Sequence, residues 1–130
     1  MIRRAIAVLV VMLFVAAGVV WVQYRMAYGT FAWWQIPPRI SWCGRHYLPA
    51  GGRLLTRAEI AAQPVGLPGE GPYPVVTVAH VPPLNGRPVL AARTPESSRR
   101  RVEPPLPCAM GVFLQTGTDQ YLAYTISGGP

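Results

Sequence analysis

Apolar residues run without a break from Ala5 to Val22 (AIAVLVVMLFVAAGVVWV), with Arg3 and Arg4 just ahead and Gln23, Tyr24 and Arg25 just behind. At a rise of ~1.5 Å per residue, a helix over this run reaches about 27 Å, close to the hydrocarbon thickness of a bilayer. The apolar core is too long for a secretory signal, whose core is about 7–15 residues. Ala16-Ala17-Gly18 mimics a cleavage box, but Val19 to Val22 carry the apolar run past it. A second small residue, Ala27, follows the bulky Tyr24 and Met26. An uncleaved signal anchor is therefore the preferred reading over a cleaved signal. The expected division is a cytoplasmic tail over 1–4, a transmembrane anchor over 5–24, a juxtamembrane aromatic linker over 25–38 and a small domain over 39–130.

Beyond the anchor the pattern changes from continuous to alternating. Pro37-Pro38 stops any continuing helix, since proline lacks the amide donor and restricts its predecessor. Arg39 to Leu48 (RISWCGRHYL) predicts a first strand with a possible bend at Gly44, followed by a turn over 49–52. Thr56-Arg-Ala-Glu59 has capping-box spacing and predicts a short helix over 58–63, ended by Pro64. Val65 to Pro74 reads as an irregular loop. Val75 to Val81 (VVTVAHV) is the clearest strand, β-branched and bounded by prolines. Asn85-Gly86 is suited to the positive φ of a turn, and Arg87 to Arg93 returns as hairpin partner with Pro88 placing its start at an edge. Thr94 to Pro107 carries a charge run without periodicity and reads as a mobile loop. Cys108 to Gln115 and Gln120 to Ser127 predict a closing hairpin, with Met110, Val112 and Leu114 on one face and Leu122, Tyr124 and Ile126 on a face of its partner. The expected fold is a single N-terminal transmembrane helix followed by a small, loop-rich, mainly β domain with one short helix, lying outside the cytoplasm.

Composition sharpens this picture at two points. The 130 residues include 15 prolines and 13 glycines, which favour loops and a thin core. The formal charge of +7 comes from arginine alone, because lysine, whose codons are A-rich, is absent. That bias hints at a GC-rich bacterial genome. A basic surface beside a membrane attracts anionic lipid, wall polymers or acidic partner proteins, and an exported domain does not meet nucleic acid. Arg3, Arg4 and the amino terminus favour the N-terminus inside, although Arg25 and Arg39 weigh on the other side. The expected location is the cytoplasmic (inner) membrane, single-pass, with the C-terminal domain extracytoplasmic.

Candidate chemistry is sparse. Trp21 near the end of the apolar run and Tyr24, Tyr28, Phe31, Trp33 and Trp34 beyond it suit the head-group interface; the competing readings pack Trp33 and Trp34 into the domain core or make the aromatics a patch that docks another membrane protein. Cys43 and Cys108 are the only cysteines and bracket nearly the whole domain. In an oxidising compartment they predict a disulfide whose loop of about 65 residues is worth about 4 kcal/mol by chain entropy. The alternatives are unpaired buried thiols, the better reading if the domain faces the cytoplasm, and a Cys43/His46/His80/Cys108 metal set, weak because only Cys43-x-x-His46 has ligand spacing. His80 with Cys108 lacks any orienting third group, and no hydrolase, zincin or phosphate-loop motif occurs. Arg99-Arg100-Arg101 is the densest charge and the candidate contact for an anionic partner, against a plain solvated loop.

No cofactor and no small-molecule substrate are expected. The sum points to a non-catalytic, membrane-anchored accessory or assembly subunit of a bacterial envelope complex, contacting lipid and an integral-membrane partner. A stand-alone binder of anionic lipid or wall polymer through the arginine loop is the alternative, and a small Cys/His metal protein or hydrolase the weakest reading.

Overall fold

A computed structural model describes residues 1–63, 72–102 and 107–127. The chain starts with helix α1 (Ile2–Tyr28), which is long and apolar enough to span a membrane and lies outside the body of the protein over its most apolar stretch. No carboxylate or proline interrupts it. Gly29 ends it in a left-handed conformation (φ 76), with its N–H bonded to the Arg25 carbonyl at 2.8 Å. Glycine accepts this geometry without Cβ strain, which is why the helix stops there and not at Pro37.

The remainder is a mainly antiparallel β domain. Its strands are β1 (Ile40–Trp42), β2 (Arg45–Leu55), β3 (Val75–Val81), β4 (Arg87–Ala92), β5 (Gly111–Gly117) and β6 (Gln120–Ile126). Two short helices, α2 (Arg57–Ala61) and α3 (Glu96–Arg100), sit between them. One six-stranded sheet results, in the order β1-β2-β6-β5-β4-β3, with every neighbouring pair antiparallel.

Both faces of the sheet centre are covered. Ile40, Tyr47, Val89, Ala91, Val112, Leu114 and Tyr124 form one cluster together with Tyr28 of α1. Leu90, Phe113 and Tyr121 point the other way and pack against Ile60 of α2. The switch of face between Val89 and Leu90, and between Val112 and Phe113, is the two-residue period of a strand. In β3 a register shift between Thr77 and Ala79 interrupts that period, so Val75 joins the α2-side cluster and Val81 the α1-side one.

Several expectations need correction. The single strand over 39–48 is a hairpin: Cys43 (φ 51) and Gly44 (φ 71) form a two-residue turn between β1 and β2, and two successive positive φ values suit the twist of paired strands. The turn over 49–52 is instead an irregularity within β2. Pro49 pairs with Tyr124 and Leu54 with Leu122, so the extra residues around Gly51 and Gly52 loop out while β6 holds both flanks. In the β3–β4 connection the positive φ falls on Leu84 (φ 82), not on Asn85-Gly86. Strand β4 lies inside the sheet and β3 forms the edge. Pro88 is accommodated because pairing with β5 involves only Val89 and Leu90.

The capping box closes as the spacing predicts. The Thr56 side chain accepts from the Glu59 amide at 3.2 Å and the Glu59 carboxylate accepts from the Thr56 amide at 2.7 Å. The mobile loop expected over 94–107 contains α3, started by Pro95 and Glu96 and braced by the Glu96–Arg100 ion pair across one turn. Met110 is exposed, whereas Val112 and Leu114 are buried. The loop expected over 65–74 falls outside the described residues through position 71, as do Pro64 and residues 103–106.

Candidate functional site: the junction of helix and domain

The last turns of α1 do not lead into a free linker. Tyr28 is 8% exposed in the main core cluster, with Tyr24 and Ala27 packed against that cluster. Hydrogen bonds fasten this end further. The Ser41 hydroxyl donates to the Ala27 carbonyl at 2.7 Å. The Arg39 guanidinium donates to the Met26 carbonyl, and at 3.4 Å to that of Arg25. A cation over the carbonyls at a helix C-terminus is favourably placed against the helix dipole.

Residues 30–38 fold back over the same place. The Tyr124 hydroxyl, in the buried centre of β6, donates to the Pro37 carbonyl at 2.7 Å. Arg87 at the start of β4 reaches the Trp34 carbonyl at 3.5 Å. Burial raises the Tyr124 phenol from its ordinary 10 to about 12, with the nearby Arg87 charge opposing part of the rise. Tyr47 is likewise raised by burial, and its hydroxyl donates to the Ala109 carbonyl at 2.9 Å.

The five residues expected at the membrane interface divide. Trp21, Trp33 and Trp34 are exposed, at 56%, 54% and 60%. Tyr28 is buried and Tyr24 half-buried. The two adjacent tryptophans meet edge to face at 5.7 Å, Trp21 meets Phe31 at 6.1 Å, and the Arg25 guanidinium sits 4.8 Å from the Phe31 ring centre. A groove of about 570 Å³ opens between α1 and the β3–β4 loop, lined by Val19, Val20 and Tyr24 on one side and Pro82, Pro83 and Leu84 on the other. Leu84 is 94% exposed.

Cys43 and Cys108 form a disulfide, with Cα atoms 6.3 Å apart, joining the β1–β2 turn to the approach of β5. As a disulfide they are not available as metal ligands. His46 Nδ1 lies 2.6 Å from the Ser41 hydroxyl, while His80 is exposed on the edge strand β3, so β6, β5 and β4 separate the two histidines. Among the described residues no group of three His, Cys, Asp or Glu side chains converges.

The arginine run does not present three free cations in one direction. Arg99 turns inward, its Nη1 3.0 Å from Cys108 Sγ and its Nε buried without a partner among the described residues. Arg100 pairs with Glu96, and Arg101 bonds the Ser97 carbonyl at 3.4 Å. The cations set at the junction are Arg25, Arg39 and Arg87, none with an ion pair to a carboxylate among the described residues. Arg87 and Leu84 join this site only through the fold, from the β3–β4 connection. The available signal was an isolated leucine between Pro82-Pro83 and Asn85-Gly86, where a loop tip ordinarily carries polar residues.

Compared with known proteins, the chain matches no family model, no curated protein and no solved structure.

Proposed function

We propose that this protein is a non-catalytic, single-pass accessory or assembly subunit of a bacterial envelope membrane complex, with its N-terminus inside and its β domain outside the cytoplasmic membrane. The observation that carries the reading is the build of the junction. The apolar α1 enters the domain core through Tyr24, Ala27 and Tyr28, and Arg39, Ser41 and Tyr124 fasten what surrounds it. A domain fixed directly on its membrane helix holds one orientation, so its surface meets neighbouring membrane proteins at a set height and angle. Such a set height and angle suits a subunit that must match its surface to a neighbouring membrane protein. Burial of Tyr28 also supports retention of the helix, since cleavage at Ala27 would cut through the packed turn. The Cys43–Cys108 disulfide supports an oxidising compartment.

The exposed Trp33–Trp34 pair is the surface proposed to meet the partner, because large rigid aromatics dominate binding energies at interfaces. The arginine-loop alternative has less support, as Arg99 is directed at Cys108 and Arg100 is paired. Affinity capture of a C-terminally tagged full-length copy from its native membranes in mild detergent tests the reading. An integral-membrane protein in stoichiometric amount is the expected result, weakened at least several-fold in Trp33→Ala/Trp34→Ala. Recovery of the chain alone across several detergents contradicts it. Unchanged capture by the double variant removes the tryptophans from the interface.

A further inference from the structure

We propose that the β3–β4 loop is a second membrane contact: Leu84 inserts among the phospholipid acyl chains of the leaflet where α1 ends, and the groove between the loop and α1 is filled by lipid. The inference rests on α1 crossing the bilayer.

The groove reaches down α1 as far as Val19 and Val20. These residues lie inside the apolar run, and Val20 is about 12 Å along the axis from Tyr28, which sits in the domain core. The loop is part of the folded domain, and α1 is packed into that domain's core. Wherever the end of the apolar run lies in the hydrocarbon, Pro83 and Leu84 lie beside it.

The chemistry of the loop agrees with that depth. Leu84 is 94% exposed and takes φ 82, a backbone region that a leucine side chain disfavours and its neighbours Asn85 and Gly86 would tolerate. Its exposure in water and its backbone are both unfavourable, and transfer of the side chain to hydrocarbon relieves the first. The loop is also tightly closed. A Cβ at Gly86 would lie 2.1 Å from the Pro82 carbonyl oxygen, so the two ends of the loop are in direct contact and Leu84 is held on a short, stiff support. Prolines 82 and 83 present no amide N–H that the membrane would leave unpaired.

Arg87 leaves this loop into β4, and with Arg39 and Arg25 it surrounds the end of α1 without a carboxylate partner among the described residues. Arginines at this level, above an apolar tip and beside exposed Trp21 and Trp33, match anionic head groups over acyl chains. The groove continues the lipid-facing surface of α1 itself, which favours lipid over a separate protein as its occupant.

The test uses the full-length chain in nanodiscs of phosphatidylcholine and phosphatidylglycerol. A small environment-sensitive fluorescent amino acid replaces Leu84, or in separate samples Phe14 in mid-helix or Met110 on the sheet face opposite α1. Each is read against lipids brominated at shallow or deep chain positions and against a water-soluble quencher. The expected result is quenching at position 84 by shallow bromines, with blue-shifted emission and protection from the aqueous quencher. Phe14 should respond to deep bromines and Met110 only to the aqueous quencher. Aqueous quenching at 84 alongside deep quenching at 14 overturns the insertion while α1 still spans. Absence of lipid quenching at 14 overturns the spanning helix and the insertion with it. Protection of position 84 from both kinds of quencher overturns the lipid assignment, because a protein surface, such as a second copy, then covers the loop.

Discussion

Tyr124 shows how one side chain joins three levels of the structure. Its ring lies in the α1-side cluster, its backbone pairs with both β2 and β5, and its hydroxyl holds the Pro37 carbonyl. Tyr124→Phe keeps the ring but leaves that buried carbonyl unsatisfied, for an expected loss of about 1–3 kcal/mol in denaturant unfolding. The same residue gives a pH signature. The folded phenol is raised to about 12 and the unfolded one titrates near 10. Its contribution is therefore intact below about pH 10 and is lost as pH rises through about 12, because the unfolded state releases its proton first. Unfolding midpoints should fall over that range, and less steeply in Tyr124→Phe. An identical alkaline limb in both proteins would mean that Tyr47 or another group carries the effect. At the acid side, Glu59 is held below the ordinary carboxylate range mainly by the Thr56 amide, and this exposed cap is lost only as pH falls through that lowered value.

Among elements, legibility followed how much of the instruction was local. VVTVAHV became β3 with the predicted ends because β-branched residues and flanking prolines settle it without tertiary help. The capping box and the closing hairpin were likewise written in a few adjacent residues. The elements missed were those whose evidence lies far off in the chain. The path of β2 past Gly51-Gly52 depends on β6 pairing with both of its flanks, and α3 is fixed in part by burying Ser98. The junction was missed for the same reason. Their place after the apolar run suggests interface aromatics for Tyr24 and Tyr28, but four residues along a helix place their rings on one side, 4.5 Å apart, and that side meets the sheet. Tyr28→Ala should thus cost the β domain about 3 kcal/mol, as for a large core side chain. Near-UV circular dichroism of the full chain during denaturation reads this directly, and an unchanged midpoint would show that Tyr28 is dispensable to the core.

For the whole molecule, the long apolar helix was legible because a continuous apolar run needs no partner information, and the cysteine pairing because only one pairing exists. The disulfide ties the β1 end of the sheet to the approach of β5, across a sequence separation of 65. Cys43→Ser/Cys108→Ser, or reduction of the native protein, should lower stability by up to about 4 kcal/mol through the enlarged unfolded ensemble. Identical unfolding midpoints with and without reductant would remove the cross-link from the stability of the domain. What surrounds the helix was legible only in part: Arg25 and Arg39 follow the apolar run closely in sequence, whereas the groove and the approach of Arg87 arise only when positions far apart are brought to one end of α1.

The long apolar helix and the β domain are joined as one rigid unit, and amide hydrogen exchange of the full-length chain in lipid nanodiscs reads that joint along its whole length. Slow exchange is expected through α1 to Gly29, whose N–H is bonded to Arg25, resuming in β1 at Ile40, where pairing with Tyr47 begins. Fast exchange beginning at the end of the apolar run and extending to residue 38 would make that segment a flexible tether. That result would contradict the fixed seating on which the proposed role as a membrane-complex subunit depends.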